Sequence, residues 1–180
     1  MSKLSANEIR VELIPACEKR REIQKVDRFL NDSTELFLGV AGELDSRSYN
    51  KKFADKIRRK LEIYPTFKAS IIFTKANKKE QAIKATFEQN RAVCELLKDN
   101  EFGDRFSLYW SPIRQNHHFR LTDKNITLEE VHDHKKDRDV FVVENSTGIT
   151  DEYKTKFDQI ISEGNIYKLR WENFKDCIAS

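Results

Sequence analysis

Glycine, cysteine and long apolar runs are all scarce in this chain of 180 residues, and each scarcity excludes something. The five glycines form no G-x-G or G-K-S/T pattern, so nucleotide binding through a glycine-rich phosphate loop is excluded. Cys17, Cys94 and Cys177 are odd in number and far apart, giving neither a disulfide framework nor a paired zinc spacing. They are expected as reduced thiols, mostly buried. None has the setting of a nucleophile, because Cys94 falls on the apolar stripe of an expected helix and the other two lie near the ends. No apolar run approaches the roughly 20 residues that cross a bilayer, and Met1 to Asn7 lacks the apolar core of a secretory signal. The expectation is a cytoplasmic protein with no membrane partner and no cofactor.

A strong charge of one sign is absent too. The net charge of +3 permits a phosphate-bearing partner without requiring one. The basic clusters Lys19-Arg20-Arg21 and Lys56, Arg58, Arg59, Lys60 read first as solvated helix faces. What the chain does have is bulk for a core: twelve Phe, five Tyr and two Trp, enough for one domain of ordinary size.

The hydrophobic pattern sets out an α/β order. A helix is predicted over Glu18 to Asn31, with Ile23, Val26, Phe29 and Leu30 on one stripe, as an N-terminal appendage spanning 1–33. A buried strand follows at Glu35 to Ala41, then a helix from Asn50 to Tyr64 stopped by Pro65, then a second buried strand at Lys68 to Thr74. A long helix from Asn77, a candidate cap, to Lys98 turns Ile83, Phe87, Cys94 and Leu97 inward. Extended segments at Phe106 to Trp110, His118 to Leu121, Ile126 to Val131 and Val140 to Glu144 suggest a four-strand meander. Thr150 is a plausible cap for a helix over Asp151 to Ser162, and Leu169, Trp171 and Phe174 suggest a last amphipathic turn or two in the tail 166–180. The predicted fold class is α/β, a mixed sheet sandwiched by helices, with the main domain at 34–165.

All four histidines fall between positions 117 and 134. Histidine titrates nearest neutrality, attacks phosphorus and binds metals, so this stretch is where chemistry would sit. The run His118-Phe-Arg120, with Asp123, then a strand containing Glu129 and Glu130, then Phe141-Val-Val-Glu144-Asn145 leading into a helix bearing Phe157, resembles one half of a phospholipase D-like domain. That family places a His-x-Lys-x4-Asp motif on a strand. Here Arg120 stands for the lysine, Asp123 comes five residues after His118 where the family has seven, and the Gly-Ser-x-Asn segment has no counterpart.

The resemblance implies His118 as nucleophile, Arg120 as the phosphate-binding group and Asp123, Glu130 and Asn145 in support. Because one motif is present, a live site would need a homodimer pairing two copies of His118. The resemblance also allows a larger complex, with nucleic acid or another phosphate-bearing ligand as partner, in a bacterial or archaeal cell. Substituted motifs of this kind occur in members that keep the fold without the reaction, so the leading expectation is a non-catalytic module binding a protein partner or a phosphate-bearing ligand. A homodimeric phosphodiesterase or nuclease is the first alternative. The second is a metal site at His118, His132 and His134 with Asp133 or Glu130, against which stands the reading of Asp133 to Asp139 as an exposed loop. Glu129 and Glu130 are adjacent and so point to opposite faces of a strand, which argues against a paired acid and base. Trp110, Phe119 and Phe141 could stack bases, although alternating strand aromatics are usually core.

Overall fold

The computed structural model describes residues 8–44, 46–74, 78–99, 101–130, 138–163 and 165–178. Eight strands form one mixed sheet: β1 (Arg10–Ile14), β2 (Leu36–Ala41), β3 (Lys68–Thr74), β4 (Phe106–Ser111), β5 (His117–Thr122), β6 (Ile126–Glu130), β7 (Val140–Glu144) and β8 (Tyr167–Leu169). Their order is β1-β7-β6-β5-β2-β3-β4-β8. Strands β2, β3 and β4 are parallel, and the remaining pairs are antiparallel.

Helices α2 (Lys51–Ile63) and α3 (Lys79–Cys94) cross between the parallel strands and lie on one face, where α1 (Lys19–Asp32) also packs. Phe37, Ile71, Phe73, Leu108 and Trp110 point into that layer, against Phe53, Ile57 and Phe87. The opposite residues of the same strands, with Phe119 and Leu121, pack under α4 (Thr147–Ser162) through Tyr153 and Phe157. Each parallel strand is therefore apolar on both sides, which is why its sequence shows a continuous apolar run.

Local chemistry fixes the helix starts. Asn50 caps α2 by accepting the Phe53 N–H at 3.1 Å, and Tyr64 ends it before Pro65. The α4 cap is Ser146, whose Oγ accepts the Ile149 N–H at 3.4 Å. Thr150, the expected cap, is instead buried inside the helix and donates its hydroxyl to the Thr147 carbonyl at 3.0 Å. The expected α3 cap, Asn77, lies outside the described residues. Helix α3 kinks at Asn90 (φ −132°, ψ 36°), where the side-chain amide donates to the Tyr49 carbonyl at 3.1 Å.

Other expectations change as well. The four-strand meander holds only for β5, β6 and β7: β4 is parallel to β3 and separated from β5 by two strands. Extended segments at short intervals do not reveal their partners, and β4, buried on both faces, belongs inside the sheet. The tail contributes strand β8 on β4 before a short 3-10 turn and α5 (Lys175–Ile178), with Leu169 and Phe174 in the core. Of the three thiols only Cys94 is buried; Cys17 is exposed and Cys177 half-buried. Burial pushes the Cys94 thiol up to about 12, so it stays protonated.

The sequence predicts only a helix before position 33, yet β1 precedes it as an edge strand paired to β7, and α1 packs Val26 and Leu30 into the main core. The sheet runs unbroken past positions 33 and 165. Among the described residues no helix is long and apolar enough to cross a membrane.

Candidate functional site

Strand β5 carries the site, and its alternation sorts the side chains. Phe119 and Leu121 face α4, while His118 and Arg120 face α1 and the loop before α2. Register then selects the neighbours: Arg120 lies opposite Gly39 on β2 and Thr127 on β6, and His118 lies opposite Glu129. Glu130, the expected supporting carboxylate, takes the position opposite His117. Period-two alternation therefore assigns Glu129 to the His118 face.

Arg120 is held by a carboxylate from the N-terminal helix. Its Nη1 donates to Glu22 Oε1 at 2.6 Å, and Glu22 is only 2% exposed. Lys19, one turn earlier, pairs with Glu22 Oε2 at 2.6 Å and donates to Glu129 at 3.1 Å, while Lys25 reaches Glu144 on β7 at 2.7 Å. Residues 19, 22 and 25 form one row of α1, tied to β6, β5 and β7 in turn. On its other side the guanidinium lies over the Tyr49 ring, 5.5 Å from its centroid. Tyr49 is fully buried, with its hydroxyl beside Gly39: a Cβ there would come within 3.0 Å of it. Burial opposes the Arg120 charge, but Tyr49 and Glu22 more than offset this, so its pKa lies above the ordinary arginine value.

His118 sits one pair further along, under the C-terminal end of β2. Gly42 makes room for it, since a Cβ there would approach Cε1 to 2.8 Å and Nε2 to 3.3 Å. Arg138 places Nη1 3.3 Å from Nδ1, and Glu129 Oε2 is 3.9 Å from the same nitrogen. A guanidinium only donates, so Nδ1 accepts and the neutral ring carries its proton on Nε2. Burial and then Arg138, Arg120, Arg114 and Lys19 push the imidazole down to about 4, so it is neutral at physiological pH. The Nε2 of His118 and the Nε of Arg138 are both buried without a hydrogen-bond partner among the described residues.

The remaining sequence candidates lie elsewhere. Asp123 lies just past the end of β5, five residues after His118 and roughly 17 Å away at ~3.4 Å per residue. There its carboxylate accepts from Ser33 Oγ (2.7 Å) and from the N–H groups of Thr34 (3.0 Å), Glu35 (3.3 Å) and Leu36 (2.9 Å), fixing the chain as it enters β2. Asn145 is at the same end, in the left-handed region (φ 60°), donating its backbone N–H to Asn125 Oδ1 at 3.0 Å. His132, His134 and Asp133 lie outside the described residues, and among those described no group of three His, Cys, Asp or Glu could hold a metal ion. Trp110 and Phe119 are core, whereas Phe141 is exposed.

Glu22, Arg138 and Gly42 are site residues that sequence reasoning did not reach, and Glu129 was weighed there but passed over for Glu130. Glu22 did leave a signal: it precedes Val26, Phe29 and Leu30 by four, seven and eight positions, a charge on an apolar stripe.

No protein-family model matches the chain, and neither does any curated protein. Solved structures do match. NucT from Helicobacter pylori is 10% identical with a TM-score of 0.58, over 90% of this chain and 100% of NucT. TrmBL2, an archaeal chromatin protein with a novel mode of DNA binding, is 13% identical with a TM-score of 0.56, over 91% of this chain and 55% of that one. The phosphatidylserine synthase of Haemophilus influenzae is 10% identical with a TM-score of 0.56, over 91% of this chain and 41% of the synthase. The α/β fold is shared with these structures, as the phospholipase D-like resemblance implies. This chain thus spans all of NucT but only about half of TrmBL2 and less than half of the synthase, and at such identities the likeness concerns the fold alone.

Proposed function

We propose that this phospholipase D-like domain binds a phosphate-bearing ligand, nucleic acid foremost, without performing phosphoryl transfer. The observation that carries the reading is the pair of buried donors at the end of β5. With Nδ1 accepting from Arg138, His118 presents Nε2–H, which cannot attack phosphorus, beside an Arg138 Nε–H that also has no acceptor among the described residues. Buried donors without acceptors call for an oxygen acceptor, which a water or an anion supplies, and the positive potential of Lys19, Arg114 and Arg138 around them favours an anion. Arg120 does not join them: its role is to hold Glu22. That TrmBL2 shares this fold and binds DNA favours nucleic acid among phosphate-bearing ligands. Two assays test the reading together. Single- and double-stranded DNA and bis-p-nitrophenyl phosphate should remain uncleaved above the buffer rate. Fluorescence anisotropy should show salt-sensitive DNA binding that Arg138→Ala weakens, with the salt slope reduced by about one.

A homodimeric phosphodiesterase is the second reading, favoured by Glu129 Oε2 standing 3.9 Å from Nδ1. If that carboxylate held the ring proton, Nε2 would present its lone pair to phosphorus and a second His118 would protonate the leaving oxygen. Cleavage that disappears in His118→Ala would establish this reading and end the first.

A further inference from the structure

The edge strand β1 carries a pattern that fits a second copy of itself. Of the eight large apolar side chains that stand exposed among the described residues, four gather at this edge: Ile9 (58%), Val11 (68%), Leu13 (50%) and Phe141 (46%). Ile9, Val11 and Leu13 alternate on one face, with Phe141 of β7 directly opposite Leu13 on that same face. Arg10, Glu12 and Ile14 occupy the other. One side of β1 is paired to β7, and no described strand pairs the other, so its main-chain donors and acceptors form an open template.

An antiparallel pairing of two identical edges places a two-fold axis perpendicular to the sheet, and the axis must fall on a residue for the faces to match. Centred on Glu12, the pairing would oppose two carboxylates. Centred on Val11, it sets Val11 against Val11, Arg10 against Glu12 of the second copy twice, and Ile9 against Leu13 twice. From position 9 to position 13 the pairs are then complementary, apolar with apolar on one face and cation with anion on the other. Glu12 stands there in its charged form, since its hydrogen bond from Lys25 holds it below the usual carboxylate range, and it would share that charge among Arg21, Lys25 and the incoming Arg10.

We infer that the chain forms a symmetric homodimer through antiparallel β1 pairing about Val11, producing a continuous sixteen-stranded sheet. A second copy is a better occupant than an unrelated strand because the charge order of Arg10 and Glu12 reads as its own complement. Seven inter-strand steps of ~4.8 Å would separate the two His118 side chains by roughly 34 Å, so this dimer is distinct from one that pairs histidines and does not depend on the ligand-binding reading. One short edge buries less than the ~1,200 Å² of a standard interface, so a weak, concentration-dependent dimer is expected.

Sedimentation velocity over a concentration series should show the monomer–dimer equilibrium. Val11→Lys, at an exposed site, should weaken it at least about tenfold. Disulfide trapping then reads the register without relying on affinity. In a Cys17→Ser background, Val11→Cys should cross-link on mild oxidation, because directly opposed Cα atoms lie about 4.5–5.5 Å apart, within disulfide reach. Leu13→Cys should not, its two copies being offset by roughly 14 Å. A protein that stays monomeric at the highest concentration, or cross-links equally from both positions, overturns the proposal. So does dimerisation that Val11→Lys leaves unchanged.

Discussion

The two ends of β5 handle polar side chains in opposite ways. At the His118 end, polar groups pack against one another: Arg120 on Glu22, Lys19 between Glu22 and Glu129, Arg138 on the neutral imidazole. At the Asp123 end, the polar groups serve the backbone, with Asp123 taking the N–H groups that open β2 and Asn125 taking that of Asn145. The first end depends on mutual neutralisation and leaves donors, His118 Nε2 and Arg138 Nε among them, without acceptors among the described residues. The second is satisfied within the chain. That difference favours the His118 end for the proposed ligand site and gives the other end the part of an architectural clasp, although sequence proximity had placed both in one motif.

The largest expected effect breaks the buried pair. Arg120→Ala removes the buried partner of Glu22, leaving Lys19 alone on that carboxylate, and should lower stability by about 3 kcal/mol in urea titrations, while the double variant Glu22→Leu/Arg120→Met recovers most of it. A loss comparable to that of a surface pair would show that the two ends do not differ in kind.

Acidity should sharpen the contrast next. The unfolded imidazole titrates near ~6.5, whereas in the fold it is held down to about 4. Between these values the unfolded chain binds a proton that the folded one refuses, so stability is full above pH ~6.5 and falls by up to about 3 kcal/mol as pH drops towards 4. The fall should be absent from His118→Gln measured over the same window, which separates it from the carboxylates Glu12, Asp27 and Glu144, also held low by their cations.

Asp123→Ala should cost about 2 kcal/mol, less than its four accepted hydrogen bonds suggest, because Thr34 and Glu35 are exposed and water replaces part of what is lost. DNA affinity measured by anisotropy should not change. The smallest effect pairs two glycines. Gly42→Ala pushes on the His118 ring and should cost about 1 kcal/mol. Gly148→Ala, with open space around it in α4, should be neutral or stabilising by roughly 0.5 kcal/mol in thermal denaturation.

Much of the framework was legible residue by residue. Asn50 before the Phe53, Ile57, Leu61 stripe, Pro65 after it, and the apolar runs at 36–41 and 68–74 each carry their own local cause, and each lies where the sequence put it. Strand β1 was not legible, because an edge strand with Arg10 and Glu12 on one face and exposed apolar residues on the other lacks the signature of burial. The site was legible only in part: His118 and Arg120 share a face by alternation alone, but their partners come from residues about 98 positions earlier and 20 later.

The sequence by itself determined the periodicities, and with them the α/β class, the two-sided burial of the parallel strands and the common face of His118 and Arg120. These follow from contacts within a few residues, where the geometry of helix and strand fixes which side chains are neighbours. Tertiary structure alone decided strand order and register. Register chose Glu129 over Glu130, sent Asp123 and Asn145 to the far end of the sheet, and brought Glu22 onto Arg120. A one-residue slip reverses every face of a strand, and hydrogen-bond partners across a sheet leave no mark in the local sequence.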